Sequence, residues 1–172
     1  NIKIEKITAE NQNEALSFLS KYENTAVFLL GNLEEYGPNL GSHINSGNFK
    51  LIREQEKIVC VFCLTRNGNL LIQSELFDPL FESVLSSCQE EASRIQGIIG
   101  DWEFAFQFWE YLKKQNIITK EIFYSKEVNY TLSLDTWKGF STKEARCLEN
   151  KDYEQWKTLR LDYLKELNIP EG

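Results

Sequence analysis

His43 is the one histidine, and the only side chain whose unperturbed charge changes near neutral pH. A base in that range suits proton abstraction, so a general-base role is open to it beside that of a solvated loop residue. It lies in the polar stretch from Gly37 to Gly47, which follows Glu34, Glu35 and Tyr36. The four thiols are Cys60, Cys63, Cys88 and Cys147. Cys60 and Cys63 sit in the run IVCVFCLT, which reads as a buried strand. Residues three apart on a strand point to opposite faces, so this pair is unsuited to chelating a metal or closing a disulfide. No second C-x-x-C completes a zinc site, so no metal is expected. Small buried thiols in a reducing compartment are the expectation, and with them a cytoplasmic location. Gly97-Ile98-Ile99-Gly100 is the one glycine-spaced loop leading from a strand into a helix. Its backbone could hold an anion at the helix N-terminus, or simply permit a tight turn, and Asp101 opposes the first use.

Composition bounds what these residues can serve. The chain has 172 residues, 42% apolar and 26% charged, enough for one domain or one domain and the start of another. Eleven Phe, seven Tyr and four Trp exclude a disordered chain. A net charge of −7 argues against a phosphate groove for nucleic acid as the main partner surface. Apolar runs are only a few residues long, so no segment is expected to span a bilayer. The sequence contains no methionine and begins at Asn1, too bulky to follow a readily removed initiator, so a fragment of a longer chain is expected.

The elements that would position the candidates follow from periodicity. Ile2 to Ile7 alternates as a strand, Thr8 offers an N-cap, and Ala15, Leu16 and Leu19 make one helical face. Asn24 is expected to cap a second helix with the stripe Val27, Leu30, Leu33 and Tyr36, stopped by Gly37-Pro38. Phe49 to Arg53, Ile58 to Thr65 and Leu70 to Gln73 form a meander, with Asn67-Gly68 as the second turn. Asp78-Pro79 opens a helix carrying Leu80, Val84, Leu85, Cys88 and Ala92. Ile95 to Ile99 suits a parallel strand after that crossover. Asp101 then caps a helix with Phe104, Ala105, Phe108, Trp109 and Leu112. Ile118 to Tyr124 and Val128 to Leu134 complete the order β-α-α-β-β-β-α-β-α-β-β. The fold class is therefore α/β, of the α+β type, with a mixed and mostly antiparallel central sheet flanked by helices. Beyond Trp137 come a strand at Thr142 to Leu148, a cap at Asn150, and a helix from Tyr153 to Leu167 with Trp156, Leu159, Tyr163 and Leu164 on one face. This stretch reads either as a restart of the opening unit or as a C-terminal helix packing back on one domain.

That element order resembles the GNAT acyltransferase fold. The segments FLLGNLEEYG (Phe28 to Gly37), NGNLLIQSE (Asn67 to Glu75) and IQGIIGDW (Ile95 to Trp102) are similar to the N-terminal domain of two-domain predicted GNAT acetyltransferases. The resemblance covers residues 1–136, and residues 137–172 look like a linker and the opening of a second such domain.

The resemblance implies acyl transfer from acetyl-CoA to an amine-bearing acceptor; the charge and the short apolar runs leave no nucleic acid or membrane partner expected. It also implies an acetyl-CoA site where the fourth strand splays from the fifth. In such enzymes a glycine-rich loop of the form Q/R-x-x-G-x-G/A cradles the pyrophosphate. The matching stretch here is Gln73-Ser74-Glu75-Leu76-Phe77-Asp78-Pro79, with no glycine and two carboxylates. Gln73 and Ser74, with Gly97, Ile98 and Gly100, are thus the cofactor-binding candidates. A leaving-thiolate acid is expected on the helix after the fifth strand, where Trp109 takes the tyrosine position and Tyr111 follows two residues on. The Gly37 to Gly47 loop would border the acceptor groove, which makes His43 and Glu35 the further catalytic candidates beside Tyr111. Three readings stay open. The chain is a degenerate copy that shapes the acceptor site, a domain that binds acyl-CoA through an unusual loop, or a non-catalytic module that pairs, as a homodimer or otherwise, through a sheet edge or its helices.

Overall fold

The computed structural model describes residues 2–118, 120–121, 125–126, 130, 135 and 146–166. They belong to two compact units, one holding residues 2–118 and the other residues 146–166. The expected strands at 118–124 and 128–134 lie, apart from a few residues, outside the described part, as does most of the one at 142–148.

In the first unit the order is β1 (Ile2–Lys6), α1 (Gln12–Leu19), α2 (Val27–Tyr36), β2 (Gly47–Glu54), β3 (Lys57–Thr65), β4 (Asn69–Ser74), α3 (Asp78–Gln89), β5 (Gly97–Gly100) and α4 (Trp102–Lys114). A short 3-10 turn, Ser20–Tyr22, follows α1. The five strands form one mixed sheet in the order β1-β2-β3-β4-β5, antiparallel except for the parallel pair β4 and β5. The expected fold class is the one observed, and the described element order matches the expectation through α4.

Strand β3 explains the layering. Its run is apolar at almost every position because both faces are covered. Cys60, Phe62 and Leu64 pack with Ile52, Leu70, Ile72 and the buried faces of α3 and α4. Val61 and Cys63 pack with Phe49, Leu51, Leu71 and the faces of α1 and α2. The two cysteines of the C-x-x-C therefore enter different core layers, as strand geometry requires. Cys60, Cys63 and Cys88 are buried free thiols and Cys147 is exposed.

Several element starts differ from the sequence reading. Thr8 does not cap α1; its carbonyl takes the N–H groups of Asn11 and Gln12, and α1 begins only at Gln12. Asn24 does not cap α2 either, because the chain first turns through Thr25 and Ala26, both bonded to the Tyr22 carbonyl. That delay rotates the helix. Ala26, Leu29 and Leu33 face the sheet, while Val27 and Phe28 are exposed. The run AVFLLGNL is apolar at several phases, so its spacing alone allowed either stripe. On α3, Phe77 holds the cap position and Pro79 lies in the first turn; the helix ends at Gln89, leaving Ala92 outside it and exposed.

Strand β5 starts two residues later than expected, at Gly97. Asp101 caps α4 as expected, accepting from the N–H groups of Glu103 and Phe104. Phe104, Phe108 and Leu112 are buried, whereas Trp109 is only half-buried.

In the second unit, α5 (Tyr153–Glu166) follows a 3-10 turn at Asn150–Asp152. The cap is Glu149, one residue before the expected Asn150, in a reciprocal capping box with Asp152. Arg146 grips both Asp152 oxygens, at 2.6 and 2.7 Å.

Candidate functional site

The parallel pair creates the place where a site can form. The last β4–β5 partners are Ile72 and Gly100, and β4 runs on through Gln73 and Ser74 alone. In open α/β sheets such a notch, outside the C-terminal ends of parallel strands, is the usual ligand crevice.

Gly100 lets β5 come this close: a Cβ there would lie 2.2 Å from the Ile72 carbonyl oxygen, whereas one on Gly97 would meet only the side-chain end of Asn69. Gly97, Ile98 and Gly100 are members of the strand itself, and Ile98 packs against the α3–α4 core.

The loop after β4 uses its own polar groups. Val59 turns its backbone groups toward β4, one pair beyond Cys60 and Ser74 in the β3–β4 ladder. Its carbonyl accepts from the Glu75 N–H at 2.8 Å and from Ser74 Oγ at 3.4 Å. Ser74 Oγ also accepts from the Leu76 N–H at 3.2 Å and donates to the Leu76 carbonyl at 2.5 Å. On the neighbouring strand-to-helix junction, Asp101 Oδ1 takes the first-turn N–H groups of α4 at 3.0 and 3.3 Å. An incoming phosphate would compete with bonds already made and meet the carboxylates of Glu75, Asp78 and Asp101. The residues at this end do not fit a pyrophosphate.

They form a different arrangement. The α1–α2 connection reaches over the end of β4 and lays two side chains on it. Tyr22 Oη donates to Glu75 Oε1 at 2.5 Å, and Thr25 Oγ1 donates to Gln73 Oε1 at 2.7 Å. The bond to Glu75 first, then burial and the carboxylate charge, push the Tyr22 phenol up to about 12. Phe18 supports the ring from one helical turn back, with centroids 5.3 Å apart. Glu75 also borders a cleft of about 680 Å³ between α1 and the β2–β3 end, with Glu14, Lys21, Arg53 and Glu56 on its walls. Arg53 is committed within that wall, donating to Glu14 at 2.8 Å, Glu5 at 3.4 Å and the Glu56 carbonyl at 3.1 Å. A carboxylate partnered by a phenol at the mouth of such a cleft can receive an ammonium group. Tyr22 and Thr25 carry no signal in the sequence as site residues, because only the fold of the α1–α2 connection brings them to β4.

The other candidates lie elsewhere. Gly47 pairs with Thr65 at one end of the sheet and Glu54 with Lys57 at the other, next to where β4 ends. The loop before Gly47 therefore places His43 at the opposite end from Gln73 and Ser74. There His43 stacks on Tyr36 with centroids 4.3 Å apart, and its Nδ1 accepts from the Asn45 N–H at 3.2 Å. Burial first, then the Glu35 carboxylate, hold the Tyr36 phenol above its ordinary value. The structure thus gathers His43, Tyr36 and Glu35, but away from the β4–β5 crevice. Tyr111 joins neither group. It packs against Phe81 and Phe108, at 5.4 and 6.0 Å, beside the α3–α4 core. Among the described residues no helix is long and apolar enough to cross a membrane.

No family model matches the chain, and no curated protein matches it. A solved structure similar to it is that of a possible acetyltransferase from Clostridium difficile 630, at 17% identity and a TM-score of 0.37, covering 75% of this chain and 99% of that one. At that likeness the function rests on the site's own geometry.

Proposed function

We propose that this chain is a GNAT-like domain of an acetyl-CoA-dependent N-acyltransferase, and that its crevice at the ends of β4 and β5 shapes the acceptor site for an amine. In this reading acetyl-CoA is gripped by a separate, better-equipped domain of the same protein. The observation that carries it is the Tyr22–Glu75 pair, seated where the resemblance would place a pyrophosphate cradle. Glu75 holds the incoming ammonium, Tyr22 orients the carboxylate, and Thr25 fixes Gln73 beside them. The three segments that resemble tandem GNAT proteins support the class. The glycine-free loop, with its Glu75 and Leu76 N–H groups already bonded, supports the division of labour.

Calorimetric titration of the 172-residue chain with acetyl-CoA and with CoA tests this directly. Neither is expected to bind at micromolar concentration. Micromolar binding by either would overturn the reading in favour of an acyl-CoA site built on an unusual loop.

A further inference from the structure

We propose that strand β1 is a dimerisation edge, pairing antiparallel with β1 of a second copy in one register centred on Ile4. This does not depend on the acyltransferase reading.

Among the described residues β1 is bonded on one side only, to β2, and every residue but Glu5 is exposed. Ladder parity identifies the groups that face outward. The Ile7 N–H donates to the Phe49 carbonyl at 2.9 Å, so by alternation Glu5 and Lys3 also turn their backbone groups toward β2. Ile2, Ile4 and Lys6 therefore turn theirs to the free edge. The Lys6 carbonyl agrees, since Asn11 Nδ2 caps it from outside at 3.1 Å.

Lysines on an edge commonly deter pairing. Here the sequence Ile2-Lys3-Ile4-Glu5-Lys6 makes the outcome depend on register. Two-fold pairing centred on Lys3 or on Glu5 sets like charges directly opposite. Pairing centred on Ile4 sets Lys3 opposite Glu5 of the second copy, twice, and Ile4 opposite its own counterpart. It also lays the Lys6 stem of each copy over Ile2 of the other. Parity permits the same register. Ile4 is an outward-facing residue, so the central pair exchanges two N–H···O bonds. Lys3 and Glu5 fall in the non-bonded pairs, where facing side chains lie closest.

Within one copy Lys3 and Glu5 already meet at 2.8 Å, and Glu5 lies 3.4 Å from Arg53. Pairing would join the two clusters into one of alternating sign. On the opposite face Ile2 and Ile4, each 38% exposed, would be covered.

Sedimentation velocity of the full chain, from low micromolar to near-millimolar concentration, is the test. Wild type is expected to dimerise reversibly, with the backbone N–H groups of Ile4 and Lys6 protected from hydrogen exchange in the dimer. Lys3→Glu sets Glu against Glu in both pairs and should weaken association by about tenfold. The double variant Lys3→Glu/Glu5→Lys restores opposite signs and should recover it, and circular dichroism confirms that both variants fold. A wild type monomeric throughout overturns the proposal. So does a dimer indifferent to Lys3→Glu, a charge swap without rescue, or edge amides protected in the monomer, which would mean that another strand covers them.

Discussion

Lys50 lies on β2 facing α3 and is only 5% exposed, which makes its ammonium the costliest charge in the core. All three of its donors are used: the Ser87 carbonyl at 3.0 Å, Ser87 Oγ at 2.8 Å and Glu91 Oε1 at 2.7 Å. Asn48 Nδ2 takes the other Glu91 oxygen at 2.8 Å. This cluster ties the end of α3 to β2 and closes one side of a second cleft, about 620 Å³, between β1 and α3.

Replacing Glu91 by Leu would strand the buried ammonium. The cost of breaking such a pair is about 3 kcal/mol, the low end of the usual range, because Glu91 keeps some contact with water. Lys50→Met should cost less, about 2 kcal/mol, since the Glu91 carboxylate retains Asn48 and solvent. The double variant Lys50→Met/Glu91→Leu removes both charges and should lie within about 1 kcal/mol of wild type. The singles are thus strongly non-additive.

Burial raises the Glu91 carboxyl, but the bonds from Lys50 and Asn48 outweigh it and hold the group below its ordinary value. A depressed carboxyl stabilises the fold above its unfolded-state value, and that stability is lost as pH falls through the folded-state value. Wild type should therefore lose stability on acidification below the ordinary carboxylate range, with a shallower loss in Glu91→Leu. Urea unfolding followed by tryptophan fluorescence at two pH values measures both effects. Additive single costs, or equal acid slopes, would refute the account of this cluster.

Three further outcomes are expected. Gln55 and Glu56 form the two-residue β2–β3 turn with φ of +48° and +66°, so Gln55→Asn with Glu56→Gly should raise stability by about 1 kcal/mol, seen as a higher Tm. Burial pushes the Cys60 and Cys88 thiols up to about 12 and raises Cys63 as well, so in the native state a disulfide reagent should modify exposed Cys147 fast and the other three only on unfolding. In an ultraviolet titration, Glu75→Gln should bring the Tyr22 phenol down from about 12 toward its ordinary value, and an unchanged titration would show that the pair does not form in solution.

Which of these features the sequence announces depends on their range. The continuous apolar run of β3, the Asn67-Gly68 turn, Pro79 in the first turn of α3 and the Asp101 cap are local. Each is fixed by backbone sterics or by a bond within a few residues, and each appears where its pattern predicts. The glycine-free loop after β4 is equally local, and its poor fit to a pyrophosphate is legible from residue types alone. The phase of α2 is not local. Two apolar stripes compete in its sequence, and burial against Phe49, Val61 and Leu71 selects Ala26, Leu29 and Leu33. Nor is the site. Tyr22 lies 53 positions from Glu75 and Thr25 lies 48 from Gln73, so only the passage of α1 and α2 over the sheet brings them together. His43 and Gln73 are both candidates by residue type, yet the antiparallel register of β2, β3 and β4 sends them to opposite ends of the sheet. The sequence by itself determined the class of fold and what its fourth-strand loop is unfit to hold. The tertiary structure decided which side chains meet, because contact across the sheet is set by register and helix phase, and packing of the whole core fixes both.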